Sequence, residues 1–541
     1  MLRILVSILS FLGLYTAVLA QVEPAVTMEL QSDQGVYITG EDIWINGFLS
    51  GSAPMPKYIQ VQLLDRKGRA RAEVKLLNTN GSFSGFLEVP GNLVSDYYFL
   101  DSYVKGQASS VEMRPVMIIN PRYPPATCSL GNTTANPLIL PKPQLVITTD
   151  KPVYAKRDPV KIDFNGLATG TNISLYVSRK DMLSDFVDSF SYQYKMLSVH
   201  SARGERETEG HLVNIKVMAV AGNAPLKGVR VFAAVIGDQA KLSFGISGDK
   251  GQVTFILPLV YGESRIVFSV DEKSEQQCRI EMEDESEVHP AIDFPCLQLT
   301  ENMRAAIEDR ILNSKAAKGF YGDALKRYTI QDADTTDFYG KPDAHYMLDD
   351  YTRFPEMKDI LLEYVPEARV RNEGDVKPVI QILNAPTKGY FSTSGLVLLD
   401  GIPLQDTKQL LSLNPLLLKS IDLVTRKYFL GELQFNGIIQ YKSYKSDLAG
   451  FALSPRDVIY PFNGVQIPSS PNFADHSNGA DEHLPNLRNL LYRELNIAVP
   501  ENGRKTISFF TADAAAEYKV VVKGKDKNGN AVYGETSFIV Q

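Results

Sequence analysis

A short pattern near the amino terminus occurs twice and constrains the fold more than any other feature of the sequence. Residues 33–46 align without gaps on residues 150–163, and the period is 117 residues, the difference between positions 33 and 150. Each copy contains a turn, a Val-Tyr pair, an acidic turn and an alternating strand. One immunoglobulin-like sandwich needs about 100 residues. The period therefore predicts two tandem β-sandwiches.

Alternating strands separated by turn residues continue this pattern over most of the chain, and 26 Tyr and 25 Phe suit strand-rich architecture. The predicted fold class is mainly β, with tandem immunoglobulin-like sandwiches and one α+β domain. The predicted segments are a signal peptide (1–20), a first sandwich (21–122), a second sandwich (144–205), a third sandwich (206–290), a helical connector (291–339), the α+β domain (340–449), and a linker with C-terminal sandwich strands (450–541).

The amino terminus has the pattern of a secretory signal peptide. A basic start at Arg3 precedes an almost wholly apolar run from Ile4 to Ala20, and small residues at Val18 and Ala20 predict cleavage before Gln21. A membrane anchor is the weaker alternative, because the run is short and no basic stop-transfer cluster follows. We find no later stretch that is long enough to span a bilayer as a helix.

Net charge and cysteine content argue against two classes of protein, nucleic-acid binders and disulfide-stabilised scaffolds. The net charge of −7, from 56 basic and 63 acidic residues, argues against a nucleic-acid partner held by phosphate contacts. Three cysteines cannot form a complete disulfide framework. Cys278 and Cys296 could pair in an oxidising compartment, and three unpaired small apolar residues are an equally good interpretation.

Helical periodicity is confined to a few segments. Residues 301–312 place Met303, Ile307 and Ile311 on one face, as a helix would, and residues 354–365 form a second predicted helix. A further helix is predicted over 484–495. The strands after residue 505 form either a final sandwich or the missing strands of an earlier one.

The repeat at Asp150-Lys-Pro-Val-Tyr154, with its copy at Asp33 and the turn Gly40-Glu41, resembles the opening strand of macroglobulin-type domains in the alpha-2-macroglobulin superfamily. The resemblance covers about residues 25–200 and implies macroglobulin-like sandwiches. True macroglobulins carry a thioester made from a Cys followed two residues later by Glu-Gln, and none of the three cysteines here has that context. Covalent trapping of proteases is therefore not expected.

A second resemblance lies in the α+β domain. The ordered series Gly395 to Leu404, Leu413-Asn-Pro415, Ile421 to Val424 and Phe435 to Ile439 resembles the plug domain of TonB-dependent outer-membrane receptors. Only 96 residues follow position 445, so we expect no receptor barrel and no transport through the chain. The combination resembles secreted envelope proteins of Gram-negative bacteria that join macroglobulin-type and plug-like domains. It implies export across the inner membrane to the periplasm or the outer membrane.

Few side chains have the sequence spacing of a metal-binding or catalytic site. Asp475-His476 with Asp481-Glu482-His483 could bind a divalent ion, and Asp332, Asp334 and Asp337 offer oxygen ligands for calcium. A solvated loop is the better interpretation of both groups, because neither matches a known ligand spacing. No His-Glu-x-x-His motif, Gly-x-Ser-x-Gly elbow or phosphate-binding glycine loop is present. Asp400, before Gly401, is best interpreted as a turn former.

Aromatic side chains offer the remaining candidates. Trp44 could stack on a sugar, but core packing is its commoner role. Tyr97, Tyr98, Tyr103 and Tyr123 could form an exposed aromatic patch or fill the core equally well.

We therefore predict a non-enzymatic binding or scaffold protein of the cell envelope, with no catalytic, cofactor-binding or metal-binding residues and no cofactor. Its predicted partner is an outer-membrane or periplasmic protein. The alternative is a macroglobulin-like protease inhibitor or host-protein binder without a thioester. An enzyme with a dispersed site is a further rival that a single sequence does not exclude.

Overall fold

The computed structural model describes most of the chain after the predicted signal peptide. The described residues are 26–51, 54–125, 145–165, 171–184, 196–201, 207, 210–237, 239–271, 277–283, 289–329, 336–371, 378–477, 484–499, 503–525 and 531–541. Strands dominate them, which confirms the mainly β fold class. Within these ranges, no helix combines the length and the apolar character that crossing a bilayer requires.

The sequence repeat is a repeat of hydrogen bonds. In the first copy the Tyr37 hydroxyl donates to Asp33 Oδ1 (2.6 Å), and the Trp44 amide donates to the same oxygen (3.0 Å). In the second copy the Tyr154 hydroxyl (2.6 Å) and the Lys161 amide (2.8 Å) donate to Asp150 Oδ1. One carboxylate therefore fixes the turn between two strands in each copy, which explains why the Asp and Tyr recur at the same spacing.

Eight strands of the first sandwich follow one another along the chain. They are β1 (Val26–Ser32), β2 (Val36–Ile38), β3 (Asp42–Gly51), β4 (Tyr58–Leu64), β5 (Ala70–Thr79), β6 (Ser82–Glu88), β7 (Asp96–Tyr103) and β8 (Ser109–Ile119). The first half of β8 lies between β1 and a later strand, β13 (Met196–His200), and its second half lies between β7 and β2. Strand β8 thus joins two layers around one core of aliphatic and aromatic side chains.

The second sandwich is discontinuous in sequence. Its strands are β9 (Val146–Thr149), β10 (Val153–Tyr154), β11 (Pro159–Asn165), β12 (Asn172–Arg179), β31 (Leu490–Ala498), β32 (Lys505–Phe510), β33 (Ala516–Lys525) and β34 (Ala531–Val540). One layer has the order β10-β34-β33-β12-β31 and the other β32-β11-β9. The C-terminal strands therefore complete the earlier sandwich, which is one of the two arrangements that the sequence left open. The predicted domain boundaries 144–205 and 450–541 therefore differ from the observed organisation. Strand β13 lies within the first of these ranges but pairs with β8 of the first sandwich.

The helix predicted over 484–495 is wrong. Strand β31 occupies the second half of that segment and pairs with β12 from Asn172 to Ser178. Leu490 and Leu491 are buried in the sandwich, and pairing with a strand more than 300 residues away overrides the local helical pattern.

The third sandwich follows, and a connector joins it to the next unit. Its strands are β14 (His211–Ala219), β15 (Arg230–Val235), β16 (Lys241–Ile246), β17 (Gln252–Leu257), β18 (Glu263–Val270), β19 (Cys278–Met282) and, from the C-terminal linker, β29 (Val458–Asn463). The connector holds helix α1 (Arg304–Tyr321), and the short strands β20 (Lys326–Tyr328) and β30 (Ser469–Pro471) pair beside it. Met303, Ile307 and Ile311 pack together on the first sandwich, as their predicted shared face requires.

The α+β unit contains the remaining elements. They are β21 (Ala344–Met347), α2 (Met357–Tyr364), β22 (Ala368–Arg371), β23 (Val379–Asn384), β24 (Gly389–Tyr390), β25 (Leu396–Leu399), β26 (Ile402–Pro403), α3 (Thr407–Leu411), β27 (Leu418–Leu430) and β28 (Leu433–Ser443). Its main sheet has the order β21-β27-β28-β25-β26, with β25 parallel to β28. Short 3-10 turns cover Glu301–Met303, Gly322–Leu325, Leu348–Asp350, Pro415–Leu417 and Leu448–Gly450.

The structure contradicts both interpretations of the cysteines, since Cys278 and Cys296 are not paired and the three cysteines are not all unpaired. Cys278 is a free, buried thiol, whereas Cys296 is disulfide-bonded. Cys128 lies outside the described residues.

Gly437 occupies a position in β28 where a side chain is not tolerated. Its φ is +81°, and a Cβ there would lie 2.8 Å from Ile382 Cγ2 and 2.8 Å from the Val424 carbonyl oxygen. We expect Gly437→Ala to lower the free energy of unfolding by about 2–4 kcal/mol, from left-handed backbone strain and overpacking together. Urea unfolding followed by circular dichroism measures it. Gly389→Ala, which meets no atom within 4 Å, is the matched control and should change stability by less than about 0.5 kcal/mol.

Candidate functional site

The structure places Trp44 in the interior. It is 6% exposed, packs against Phe86 with ring centroids 5.2 Å apart, and lies under the Arg493 guanidinium at 5.4 Å. This confirms the core-packing interpretation. Tyr97, Tyr98 and Tyr103 are also buried, and Tyr123 is exposed, so these four residues do not form an exposed aromatic patch.

Asp400 is a buried turn former. Its φ is +46°, and its carboxylate accepts hydrogen bonds from the Ser443 amide (2.7 Å), the Ser443 hydroxyl (2.7 Å) and the Leu448 amide (2.8 Å). These bonds lock the β25–β26 turn to the end of β28. Its carboxylate accepts three donors at once, in agreement with the structural role that the sequence predicted.

The acidic and histidine-containing loops do not assemble a metal site within the described ranges, where no group of three or more His, Cys, Asp or Glu side chains is arranged to hold an ion. Asp475 Oδ1 accepts hydrogen bonds from the Ser477 amide (3.0 Å) and the Ser477 hydroxyl (2.6 Å). Asp337 accepts from the Ala240 amide (2.7 Å) and pairs with Lys442 (3.1 Å). Asp332, Asp334 and residues 481–483 lie outside the described residues.

A buried Ser-His-Asp group that the sequence did not reveal lies where β7 meets β13. His200 Nε2 lies 3.1 Å from Asp101 Oδ2 and 3.2 Å from the Ser198 hydroxyl, and His289 Nε2 lies 3.5 Å from the same Asp101 oxygen. A catalytic triad needs the acid and the serine on opposite ring nitrogens of the histidine. Here Asp101 and Ser198 both contact Nε2 of His200, so this group lacks the hydrogen-bond relay of a triad. Its contacts instead join β7 and β13 to His289 of the connector.

A layer of buried polar side chains lies between the first and second sandwiches. The Arg493 guanidinium is buried, donates to the Ile45 carbonyl oxygen (3.1 Å) and lies near Asp33. Tyr176 donates to Asn46 Oδ1 in the same layer. Burial raises the pKa of Asp33 to about 6, although the Tyr37 hydroxyl and the Arg493 charge oppose that shift. Asp33 is therefore a carboxyl group that titrates near neutral pH inside an interface between sandwiches.

The equivalent residue in the second repeat behaves in the opposite way. Asp150 is exposed, and partial desolvation is outweighed by hydrogen bonds from Tyr154 and the Lys161 amide, which hold its pKa below the ordinary value. The same contacts therefore give opposite pKa shifts, and burial decides the sign.

The best candidate for recognition of another molecule is an exposed apolar surface on the α+β unit, which we name the Arg353 patch. It consists of Tyr351, Leu416, Leu417 and Tyr444 around Arg353, and these four apolar or aromatic side chains are between 37% and 60% exposed. No sequence motif marks it, because its members lie up to 93 positions apart, from 351 to 444.

Arg353 holds the patch together. Its guanidinium donates to the carbonyl oxygens of Pro415 (2.8 Å) and Leu418 (2.9 Å), and also to Asp349 Oδ1 (2.6 Å). The Tyr444 hydroxyl donates to Asp349 (2.6 Å). Hydrogen bonds from Tyr444 and then Arg353 hold the pKa of Asp349 below its ordinary value. The patch is therefore pre-organised, which lowers the entropic cost of binding.

Among known proteins, this chain matches solved structures but no family model. No protein-family model matches the sequence, and no curated protein matches it. Among solved structures, the chain is similar to Escherichia coli alpha-2-macroglobulin activated by porcine elastase (10% identity, TM-score 0.23, 95% of this chain and 44% of that one). It is also similar to Salmonella alpha-2-macroglobulin reacted with methylamine (8%, 0.24, 95% and 39%) and to native E. coli alpha-2-macroglobulin (9%, 0.24, 96% and 40%).

The chain thus spans less than half the length of each of these structures. TM-scores of 0.23 and 0.24 are too low to support an inference about activity, substrate or partner.

Proposed function

We propose that this chain is a non-catalytic binding protein of the bacterial envelope, and that the Arg353 patch docks on an outer-membrane or periplasmic protein. The observation that carries the proposal is a rigid apolar surface on an exposed face. Contiguous exposed apolar patches on soluble domains commonly mark interaction sites. Aromatic and Arg side chains are also the usual anchors of protein interfaces.

The attachment of the α+β unit to the third sandwich supports this role. The Gln405 side chain donates to the Val270 carbonyl oxygen (2.6 Å), the Phe338 amide donates to Ala240 (2.8 Å), and Gly237 donates to the Asp400 carbonyl oxygen (3.2 Å). The turn at Asp400 therefore faces the sandwich, whereas the Arg353 patch faces outward. The third sandwich acts as a base that presents the patch.

The resemblance of the α+β unit to a receptor plug supports an outer-membrane partner. The predicted signal peptide supports export, and the periplasm or the outer membrane is the proposed location. Contact surfaces, and not reactive side chains, would then carry the function.

We expect the double variant Leu416→Lys/Tyr444→Ser to reduce recovery of an outer-membrane partner at least tenfold in affinity purification from native envelope, because loss of anchor contacts typically costs more than 1 kcal/mol each. Leu312→Lys, an exposed apolar residue on α1, is the matched control and should leave recovery unchanged. Equal recovery with both variants, or recovery of no envelope protein, would contradict the proposal.

A macroglobulin-like protease binder is the alternative, favoured by the repeat that resembles macroglobulin-type domains. Trypsin and elastase are suitable probes, because their specificity pockets accept basic and small side chains respectively. A retained protease complex, or one preferred cleavage followed by compaction, would favour this alternative over the docking proposal.

A further inference from the structure

A cavity that none of the Arg353 patch residues lines lies between the first sandwich, helix α1 and the beginning of β31. Its lining comes from the face of β3 and β6 that points away from the core, from the second half of α1 with the turn that follows it, and from β20 and β30. Its volume is about 260 Å³, just below the range of roughly 300–1,000 Å³ of most small-molecule sites. The cavity therefore suits a ligand about as large as one long side chain.

A carboxylate without a close cation lines this cavity. Glu41 accepts a hydrogen bond from the Ile38 amide (2.8 Å), and among the described residues no Lys, Arg or His nitrogen lies within 4.0 Å of its carboxylate. Burial raises the pKa of Glu41, although hydrogen bonds and the charge of Arg310 oppose that shift. Arg310 itself pairs with Asp181 (2.5 Å), so the charge of Glu41 is left without a close partner.

The second repeat supplies the cation that the first repeat lacks. Asp158 is the equivalent of Glu41, and it accepts in the same way from the amide three residues earlier, that of Ala155 (3.2 Å). Asp158 also pairs with Lys151 Nζ (3.6 Å). The position equivalent to Lys151 in the first repeat holds Gln34, which lines the cavity. The same turn is therefore charge-balanced in the second repeat and open to a positively charged ligand in the first.

The other charges of the cavity also favour a positively charged ligand. Five acidic and three basic side chains line it. Each basic side chain already has a partner, namely Asp42 for Lys326 (3.0 Å), the Gly40 carbonyl oxygen for Lys318 (3.4 Å) and the Tyr321 ring for Arg488 (4.4 Å). Glu88 and Asp323 are exposed, and neither has a cation within 4.0 Å in the described part of the chain. Negative charge therefore extends from Glu41 to the surface.

A second acceptor lies beside Glu41. Asn489 is 6% exposed, and its Nδ2 lies 3.5 Å from Glu41 Oε1. Its Oδ1 is buried and accepts no hydrogen bond from the residues that the structure describes. A buried oxygen without a donor is unfavourable, and an N–H group of a ligand in the cavity would satisfy it. Glu41 and Asn489 thus offer two neighbouring acceptors to one ligand group.

We propose that this cavity binds a primary ammonium group on an aliphatic stem, with its N–H groups donating to Glu41 and to Asn489 Oδ1. An ammonium group has three donors and no acceptor, which matches a site made of acceptors. Trp44, Leu325 and Phe473 also line the cavity and provide apolar surface for the stem. Lysine side chains and free diamines both carry this chemistry.

A guanidinium group matches the site less well. It prefers to bind both oxygens of one carboxylate. Glu41 Oε2 already accepts from the Ile38 amide, which favours a donor that binds at a single point. The proposal uses none of the residues of the Arg353 patch, so its failure would leave the docking proposal unaffected.

Isothermal titration of the full mature chain with cadaverine and with Nα-acetyl-lysine methylamide tests the inference, with glutarate and pentanol as anionic and neutral counterparts. We expect at least one of the two amines to bind, and Glu41→Gln, which keeps an acceptor for the Ile38 amide, to weaken that binding at least tenfold. Asp158→Asn is the matched control, because Asp158 occupies the same turn of the second repeat, and it should leave the affinity unchanged.

Glu88→Lys is the second variant, and it keeps the test decisive if Glu41→Gln fails to fold in thermal unfolding. Glu88 is exposed, so the change should preserve the fold and weaken amine binding at least threefold through charge repulsion. Binding of only one amine supports the proposal and identifies the source, a free diamine for cadaverine and a protein side chain for the lysine derivative. Absence of binding by both amines, tighter binding of glutarate or pentanol, or unchanged affinity in the folded cavity variants would overturn the proposal.

Discussion

Replacing Arg310 with Met is expected to lower the free energy of unfolding by about 3–5 kcal/mol, since removing one partner of a buried ion pair leaves the other charge uncompensated. Arg310 is 2% exposed, and its Nε lies 2.5 Å from Asp181 Oδ2. Its Nη1 also donates to the Val36 carbonyl oxygen (3.3 Å). One guanidinium therefore joins helix α1 to the first sandwich and to the segment after β12.

Urea unfolding followed by the fluorescence of Trp44, the single tryptophan, measures this effect. Arg304 on the same helix is the matched control, because its ion pairs with Glu301 and Glu308 are exposed, and its replacement by Met should leave the midpoint unchanged. Equal midpoints for both variants would show that α1 is not held by its buried pair.

Replacing Asp33 with Asn is expected to remove a pH-dependent part of the stability. The pKa of Asp33 is raised to about 6 from an ordinary value of 3.8, so the folded state binds the proton more tightly than the unfolded chain. The stability that this provides is fully present below pH 3.8 and is lost as the pH rises through about 6. A shift of about two pKa units corresponds to about 3 kcal/mol.

The variant keeps the acceptor oxygen for Tyr37 and the Trp44 amide, so its unfolding free energy should depend less on pH between 4 and 6 than that of the wild type. Asp150→Asn is the matched control at the same position of the second repeat. The pKa of Asp150 is lowered, so its contribution is present above pH 3.8 and lost as the pH falls. An unchanged pH slope in Asp33→Asn would show that Asp33 does not titrate in the interface.

Local patterns predicted those parts of the fold that local contacts determine. The Asp-Tyr turn of the repeat and the shared face of Met303, Ile307 and Ile311 depend on residues close in sequence or on a regular period. The sequence placed these correctly because hydrogen bonding and burial act there over a few positions.

Long-range pairing accounts for what the sequence did not predict. Strand β31 joins β12 across more than 300 residues, which converts a segment with helical periodicity into a strand and brings Arg493 beside Asp33. The Arg353 patch likewise depends on contacts between residues that are distant in sequence, such as the hydrogen bond from Arg353 to the Tyr444 hydroxyl. No single-sequence pattern encodes such contacts, because their residue types are common and their spacing follows from topology.

Site-specific photo-crosslinking in living cells tests most directly whether a surface of the α+β unit carries the function. A photoreactive phenylalanine at Tyr444 is predicted to crosslink to one outer-membrane or periplasmic protein, whereas the same group at Ile256, an exposed position on the third sandwich, gives no such product. Identical crosslinking patterns at both positions, or no envelope protein captured at Tyr444, would contradict the account.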